Sequence, residues 1–357
     1  MLVKFQYLKS IFPGVVLALV FCLFSQGINN VLAIENFGTE KSPISTVLIA
    51  ILLGILMGNA FTPRPGMMIG LDFTQQYILK LGIIFLGIRL SFADLFKFGS
   101  VAIPLVIFCV LGVLLLIKLL IKKVPISSKM SYLIAIGTSV CGATAIVATA
   151  PVINAKKTEV AYAIANITLF GVIAMLIYPY FAEWYFDKNA LDAGLFLGTS
   201  IHETSQVAAA GLIYDQQFNS PETLNIATVT KLIRNTFLIV MIPLFAFLYN
   251  RGQTKEKGYS ILSIFPYFVL GFVGMIILRN VGDEVFSTNN NWIDFINTIK
   301  SSSKIFLTMA MAAIGLSTNL KDIRNMGYKP FVVGFTSMLT VGIVSILTIE
   351  IYIKFFI

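Results

Sequence analysis

The sequence is poor in charge. Only 12% of its 357 residues are Asp, Glu, Lys or Arg, while 57% are hydrophobic. A soluble globular domain carries about 25% charged residues, so this chain has too little polar surface to cover a water-soluble body. The mean hydropathy of +0.87 points the same way. The scarcity of charge therefore predicts an integral membrane protein, with the lipid bilayer as its main surroundings.

Histidine and cysteine are also scarce. His202 is the sole histidine, and the three cysteines, Cys22, Cys109 and Cys141, lie in apolar stretches without a CxxC spacing. A structural zinc site needs about four ligands, and a disulfide framework needs regularly spaced cysteines. The chain also lacks the GxxxxGK[ST] pattern of a nucleotide-driven motor. We therefore expect no metal, no cofactor and no enzymatic activity.

Basic residues outnumber acidic ones, giving a net charge of +9. Most Lys and Arg stand in short links between apolar runs, a distribution that orients membrane helices rather than one that binds nucleic acid. Lys4 and Lys9 precede the first run, which predicts a cytoplasmic N-terminus. No nucleic-acid partner is expected.

The apolar runs predict an all-α, polytopic fold with nine to eleven helical segments in one transmembrane domain, residues 1–357. A full span needs about 20 apolar residues. The predicted full spans are 12–34, 43–61, 75–92, 100–121, 158–182, 225–249, 260–279, 303–319 and 330–353. The longest polar link is predicted at 280–302.

Two further segments, 130–152 and 194–213, are rich in Gly, Ala, Ser and Thr. If 130–152 crossed the membrane fully, Lys156 and Lys157 would lie outside and the acidic link from Glu183 would lie inside. Both placements oppose the positive-inside tendency, which contributes about 1 kcal/mol per charge near the surface. We therefore expect two re-entrant or broken helices, one from each side.

The two segments resemble each other. GTSVCGATAIVATA (137–150) aligns with GTSIHETSQVAAAG (198–211), and GIRLSFADLFKFG (87–99) aligns more weakly with GLSTNLKDIRNMG (315–327). The topology gives each pair opposite orientation, which predicts an inverted repeat of about 43–182 and 194–353. Inverted repeats with interrupted helices are typical of secondary transporters, whose solute site lies where the half-helices meet. The alternative is that the small residues only allow close helix packing.

The broken segments and the spans that follow them supply the candidate site. Irregular backbone survives in a membrane only where protein or a wet cavity surrounds it, and free N–H groups at a helix start suit an anion. The candidates for solute binding in the two segments are Gly137, Thr138, Ser139, Gly142, Thr144, Gly198, Thr199, Ser200, Thr204, Ser205 and Gln206.

Ionisable residues inside a span are costly and need a reason. Lys231 and Arg234 lie three apart and therefore share a helix face; we expect them to hold an anion. The alternatives are that Lys231 reaches the outer surface and that Arg234 pairs with a carboxylate. A third cation, Arg89, is expected to reach the outer surface or to pair with Asp94.

His202 and Glu203 are the candidates for proton coupling, because histidine titrates near neutrality and Glu203 is the one strong carboxylate candidate in the predicted core. Glu203 could instead be a structural partner of Arg234 or Lys231. Asn166 and Asn235 lie deep in the spans after the two broken segments and could bind the solute or the freed backbone.

Several of these motifs together resemble the YeiH-type sulfate exporter family. They are GTSVCGATAI, the K-x-x-E that follows it, GTSIHETSQVAAAG, TVTKLIRN and AMAAIGLSTNLKDI, and the resemblance covers about 12–350. It implies a bacterial inner-membrane protein connected with sulfate or a related sulfur oxyanion or sulfonate. We therefore expect a secondary transporter of a small anion, with a sodium/proton-type cation antiporter as the alternative; a homo-oligomer is left open.

Overall fold

The computed structural model describes residues 2–35, 44–61, 63–121, 127–151, 153–238, 240–241, 267–286, 289–319, 321 and 328–356. All regular secondary structure in these ranges is helical, which confirms the all-α prediction. The α-helices are α1 Leu2–Glu35, α2 Thr46–Ala60, α3 Pro65–Phe73, α4 Leu79–Leu86, α5 Phe92–Ile121, α6 Ser128–Ser139, α7 Ala143–Thr149, α8 Lys157–Tyr185, α9 Ala190–Ser200, α10 Thr204–Phe218, α11 Pro221–Thr236, α12 Phe268–Val285, α13 Asn290–Ser317 and α14 Tyr328–Phe356.

Six stretches within the described residues are long and apolar enough to cross a membrane. They are Lys9–Ala33, Pro65–Arg89, Phe92–Leu115, Lys157–Tyr185, Asn290–Ser317 and Phe331–Tyr352. Pro65–Arg89 is one continuous segment, because the π-helical turn Thr74–Ile78 joins α3 to α4 and the 3₁₀ turn Gly87–Arg89 ends it. With each broken pair counted once, the described helices fall within the predicted range of segments, and the protein is a multi-pass membrane protein.

The helices form two compact units that alternate along the chain. Unit one consists of Met1–Ala93, Leu212–Pro221 and Phe268–Asp322. Its helices approach closely through glycines: a Cβ on Gly54 would lie 2.7 Å from the Ala312 carbonyl oxygen and 2.9 Å from the Gly315 Cα. In a bilayer, where lipid is as apolar as the side chains, such small residues allow the backbone contact that holds helices together.

Unit two consists of Asp94–Gly211, Glu222–Tyr267 and Ile323–Ile357. It contains both Gly- and Ala-rich segments in the ranges compared above, and each is broken as predicted. A buried apolar cluster that includes Val140, Ile146 and Ile167 surrounds the first break. The division into inverted repeats stays a prediction, and much of the 315–327 motif lies outside the described residues.

The predicted polar link 280–302 is wrong. Helix α12 continues to Val285, and α13 begins at Asn290. The Asn289 side chain caps the first turn of α13 by accepting from the Asn291 N–H at 2.9 Å. The polar residues of 280–285 and 290–302 lower the hydropathy although they are helical. The charged links at Lys122, Lys123 and 251–257 lie outside the described residues.

Candidate solute site at the two helix breaks

The first break separates α6 from α7 at Val140–Gly142. Gly142 has φ +67° and ψ −129°, a conformation that residues with a Cβ rarely adopt. A Cβ at this position would also lie 2.5 Å from the Glu203 Cγ. The predicted break therefore depends on a glycine for both its backbone angle and its space.

The second break separates α9 from α10 at Ile201–Glu203. Ile201 is extended, with φ −85° and ψ 141°, so the carbonyls at the end of α9 leave the helical hydrogen-bond pattern. The last four carbonyls of any α-helix lack intrahelical partners. Here they lie in the buried interior of unit two and need donors from elsewhere.

Lys231 on α11 supplies donors to the carbonyls of both breaks. Its side chain is fully buried, and the ammonium group donates to the carbonyl oxygens of Val140 at 3.0 Å, Ile201 at 3.0 Å and His202 at 2.5 Å. One acceptor belongs to the first break and two to the second. The alternative of a surface-reaching Lys231 is therefore wrong: the cation joins the two breaks.

Arg234 joins the breaks in the same way. The Nε group donates to the Ser139 carbonyl at 2.9 Å, Nη1 to the Thr199 carbonyl at 2.6 Å and the Ile201 carbonyl at 3.0 Å, and Nη2 to the Thr138 carbonyl. The carbonyl end of a helix carries about half a negative charge, so both cations neutralise the ends of α6 and α9. Within the described residues the hydrogen-bond partners of Arg234 are backbone carbonyls, rather than the carboxylate of the alternative.

Glu203 lies on the other side of the breaks, where the following helices begin with free N–H groups. Its carboxylate accepts from the Ala143 N–H, the first residue of α7, and from the Thr168 hydroxyl, both at the long distance of 3.4 Å. The Glu203 N–H donates in turn to the Gln206 side-chain oxygen at 3.2 Å, as in the backbone half of a capping box. A residue of the second break thus caps the helix that follows the first.

The matching GTS residues are explained mainly by helix ends and packing. The Ser139 hydroxyl donates to the Ala135 carbonyl at 2.6 Å, and the hydroxyls of Thr199 and Ser200 donate back one turn at 2.7 and 2.6 Å. Cβ atoms on Gly137 and Gly198 would lie 2.9 Å from the Ile146 side chain and 2.6 Å from the Thr230 Cβ. Close packing therefore accounts for the two glycines, and their contact with a solute stays a prediction.

The remaining predicted residues differ in placement. Thr144 is exposed on the first turn of α7, whereas the Thr138 hydroxyl is buried without a hydrogen-bond partner among the described residues. The Asn235 Nδ2 group donates to the Thr204 hydroxyl at 2.9 Å. Ser205 is buried beside that contact on α10, and Asn166 is fully buried on α8. A direct contact of any of these with a solute stays a prediction.

His202 is 1% exposed, and neither ring nitrogen forms a hydrogen bond of good geometry with a described residue. Its backbone carbonyl, in contrast, accepts a hydrogen bond from the Lys231 ammonium group. The sequence missed Thr168, whose hydroxyl meets Glu203 and whose carbonyl accepts from Gln206 at 3.2 Å. A threonine in an apolar span carries no signal of such a role, because threonine also serves ordinary helix packing.

These features define a multi-pass membrane protein with two broken helices whose carbonyl ends are joined by a buried Lys and Arg. A family model described as "Conserved hypothetical protein 698" matches residues 13–334. The UPF0324 membrane protein FN0533 of Fusobacterium nucleatum is 35% identical, covering 87% of this chain and 90% of its own length. The UPF0324 membrane protein of Clostridium tetani is 30% identical over 96% of this chain and 97% of that protein.

The chain belongs to the UPF0324 membrane protein family, which is the YeiH-type family, so the resemblance found from the motifs is confirmed. A relative from Streptococcus agalactiae, UPF0324 membrane protein SAG1125, is 35% identical over 85% of this chain and 89% of its own length. These names state membrane location and no activity, so the function has to be argued from the site.

Proposed function

We propose that this protein is a secondary transporter that moves a small anion across the cytoplasmic membrane, with its N-terminus inside, and that it is not an enzyme. Sulfate, a related sulfur oxyanion or a sulfonate is the substrate class. The observation that carries the proposal is the buried meeting point of two broken helices, where Lys231 and Arg234 bind the carbonyl ends and Glu203 accepts from an N–H at the opposite end. A proton or sodium gradient, or the gradient of the solute itself, supplies the energy.

The charge balance at the meeting point supports an anion. Each helix end is equivalent to about half an elementary charge. With all side chains ionised, Lys231 and Arg234 contribute two positive charges, and the ends of α6 and α9 together offset about one of them. The carboxylate of Glu203 offsets about one charge from the starts of α7 and α10. About one positive charge remains, and in a low-dielectric interior it attracts a mobile anion.

The cations act mainly through their field, because most of their N–H donors are occupied. Three hydrogen bonds occupy the ammonium group of Lys231, and four occupy Arg234. The donors that remain for a solute are the backbone N–H groups at the start of α10, the Thr204 hydroxyl beside Glu203 and the fifth N–H group of the Arg234 guanidinium. Backbone N–H groups at a helix start are common anion ligands.

Uptake into proteoliposomes tests the proposal. We expect the purified protein to accelerate uptake of labelled sulfate, sulfite or taurine, measured with and without an imposed pH gradient. Arg234→Gln should lower the rate at least tenfold, because it removes a buried charge, whereas Lys157→Gln, a change at an exposed cation on α8, should leave it unaltered. Retained folding of Arg234→Gln is checked by gel filtration. Wild-type protein without flux of any of these solutes would refute the substrate class.

Sodium/proton-type antiport is the second candidate, and the position of Glu203 favours it. Its carboxylate is partly accessible and makes only two long hydrogen bonds, so it could bind a cation or a proton. Sodium-dependent proton flux separates the two functions: an antiporter shows it and loses it in Glu203→Gln, whereas an anion transporter does not exchange sodium for protons. Glu222→Gln, at a carboxylate with 52% side-chain exposure, is the matched control.

A further inference from the structure

A second group of charged side chains lies in unit one, away from the helix breaks in sequence. Arg89 ends the Pro65–Arg89 segment, Asp215 lies on α10, Arg279 and Asp283 lie on α12, and Lys300 and Lys304 lie on α13. All six residues belong to unit one. With four cations and two carboxylates, this basic cluster carries two uncompensated positive charges.

Arg89 is the buried centre of the basic cluster. Its side chain is only 8% exposed, and its Nη1 group donates to the Asp215 Oδ2 atom at 3.4 Å. The Nε group is buried and has no hydrogen-bond partner among the described residues. A buried donor without an acceptor is costly, so this side of the guanidinium is suited to an additional acceptor.

The carboxylates are already engaged. Asp283 accepts from the Arg279 Nε at 2.5 Å and from the Trp292 ring N–H at 2.9 Å. Asp215, 10% exposed, serves both Arg89 and, at 4.0 Å, the Lys304 ammonium. Neither carboxylate is available to neutralise a further cation.

The lysines complete the excess of positive charge. Lys300 and Lys304 are four residues apart on one helix, a spacing at which like charges repel. Lys300 is also close enough to Arg89 and Arg279 for their charges to act on it. Four cations held together in partly buried positions form a field that favours an anion with two charges.

The positions of these side chains are fixed by close backbone packing. A Cβ on Gly87 would lie 3.0 Å from the Met275 Cβ, so a glycine lets the 3₁₀ turn before Arg89 approach α12. The Asn280 side chain accepts from the Phe92 N–H at 3.1 Å, and the Arg279 Nη1 group donates to the Ile88 carbonyl at 3.5 Å. The basic cluster is therefore built on rigid elements.

We propose that the basic cluster of unit one is a binding site for a tetrahedral oxyanion, either free sulfate or the phosphate of an anionic lipid headgroup, whose charge no choline group offsets. The planar guanidinium of Arg89 faces two anion oxygens, and Lys300 and Lys304 supply the remaining positive charge. The site is made of unit-one residues alone, so it does not depend on the transport proposal.

Trp292 provides a direct reporter of this site. The chain has two tryptophans; Trp184 is 76% exposed, while the Trp292 ring N–H bonds a carboxylate of the cluster. In a Trp184→Phe background, titration of sulfate into the protein in neutral-lipid nanodiscs should change Trp292 fluorescence saturably. Equilibrium dialysis with labelled sulfate should give the same dissociation constant.

Three variants test the assignment. Arg89→Gln should weaken sulfate binding at least tenfold and Lys304→Gln at least threefold. Lys80→Gln is the matched control, because Lys80 is an exposed cation on the same segment as Arg89, and it should bind like the parent. Lys304 is 44% exposed, so that variant keeps the test valid if Arg89→Gln fails to fold.

A second arm identifies the source of the oxyanion. For a lipid phosphate, phosphatidylglycerol should raise the thermal unfolding midpoint above that in phosphatidylcholine, and Arg89→Gln should abolish the difference. For a free ion, sulfate should do this in neutral lipid. If neither sulfate nor phosphatidylglycerol has an effect, or if Arg89→Gln and Lys304→Gln respond like the parent, the proposal is overturned.

Discussion

Substituting Gly142 by Ala should destabilise the protein through the first helix break. The backbone of Gly142 has φ +67°, and holding a residue with a Cβ in such a sparsely populated region costs on the order of 1–3 kcal/mol. The new Cβ would also lie 2.5 Å from the Glu203 Cγ and 3.3 Å from its Oε1. Both atoms would have to move.

Moving Glu203 adds a second loss. Its carboxylate accepts from the Ala143 N–H at the start of α7, and a buried N–H left without an acceptor costs about 1–3 kcal/mol. The two effects together predict a loss of about 2–6 kcal/mol in the free energy of unfolding. The unfolding midpoint should fall by several degrees.

The assay follows from the cysteines. Cys22, Cys109 and Cys141 are all free and buried, so a thiol-reactive dye reports unfolding as the protein is heated in detergent. Gly99→Ala on α5 is the matched control, because no atom lies within 4 Å of its added Cβ. A helical Gly→Ala change stabilises by about 0.5–1 kcal/mol. A midpoint for Gly142→Ala at or above that of the parent would refute the reasoning.

Two further substitutions test the packing and one buried hydrogen bond. Gly198→Ala should lower solute flux at least tenfold, because its Cβ would lie 2.6 Å from the Thr230 Cβ and push α9 away from α11. Gly274→Ala is the control and should leave the flux unchanged, because its Cβ would meet nothing within 4 Å. Equal flux in the two variants would contradict close packing at Gly198. Tyr178→Phe removes a 3.1 Å hydrogen bond from the hydroxyl to the Met338 carbonyl. It should lower the free energy of unfolding by about 1 kcal/mol in the dye assay, and an unchanged midpoint would show that the bond contributes nothing.

The sequence predicted the elements of the site better than their connections. Two broken helices follow from the charge pattern around Lys156 and Glu183 and from the repeated GTS motif, and the structure has both breaks. The first part of α13 is predicted as a polar link, because residues before Ser303 lower the hydropathy although they are helical. Hydropathy measures contact with lipid, whereas helix bounds depend on backbone hydrogen bonds and caps such as Asn289.

The partners of the buried cations could not have been predicted. From the sequence, the expected partner of Arg234 is a solute anion or a carboxylate side chain, because these are the groups of opposite charge. Its partners are instead the carbonyls of Ser139, Thr138, Thr199 and Ile201. Every residue has a carbonyl, so only the fold determines which ones lose their helical partners and come together. Arg89 is a parallel case: the sequence favoured Asp94, and the structure gives it Asp215, which is 126 residues away in the chain.

The repeated GTS motif therefore has a structural cause that changes where specificity should be sought. Its serines bond the preceding turn, and its glycine Gly198 makes room for a neighbouring helix. Lys231 and Arg234 then donate hydrogen bonds to the carbonyls at and just beyond the motif. Six carbonyls at the two breaks already accept from Lys231 or Arg234. If the protein is the transporter proposed above, we therefore expect solute selection on the N–H side, where Glu203 makes only long bonds.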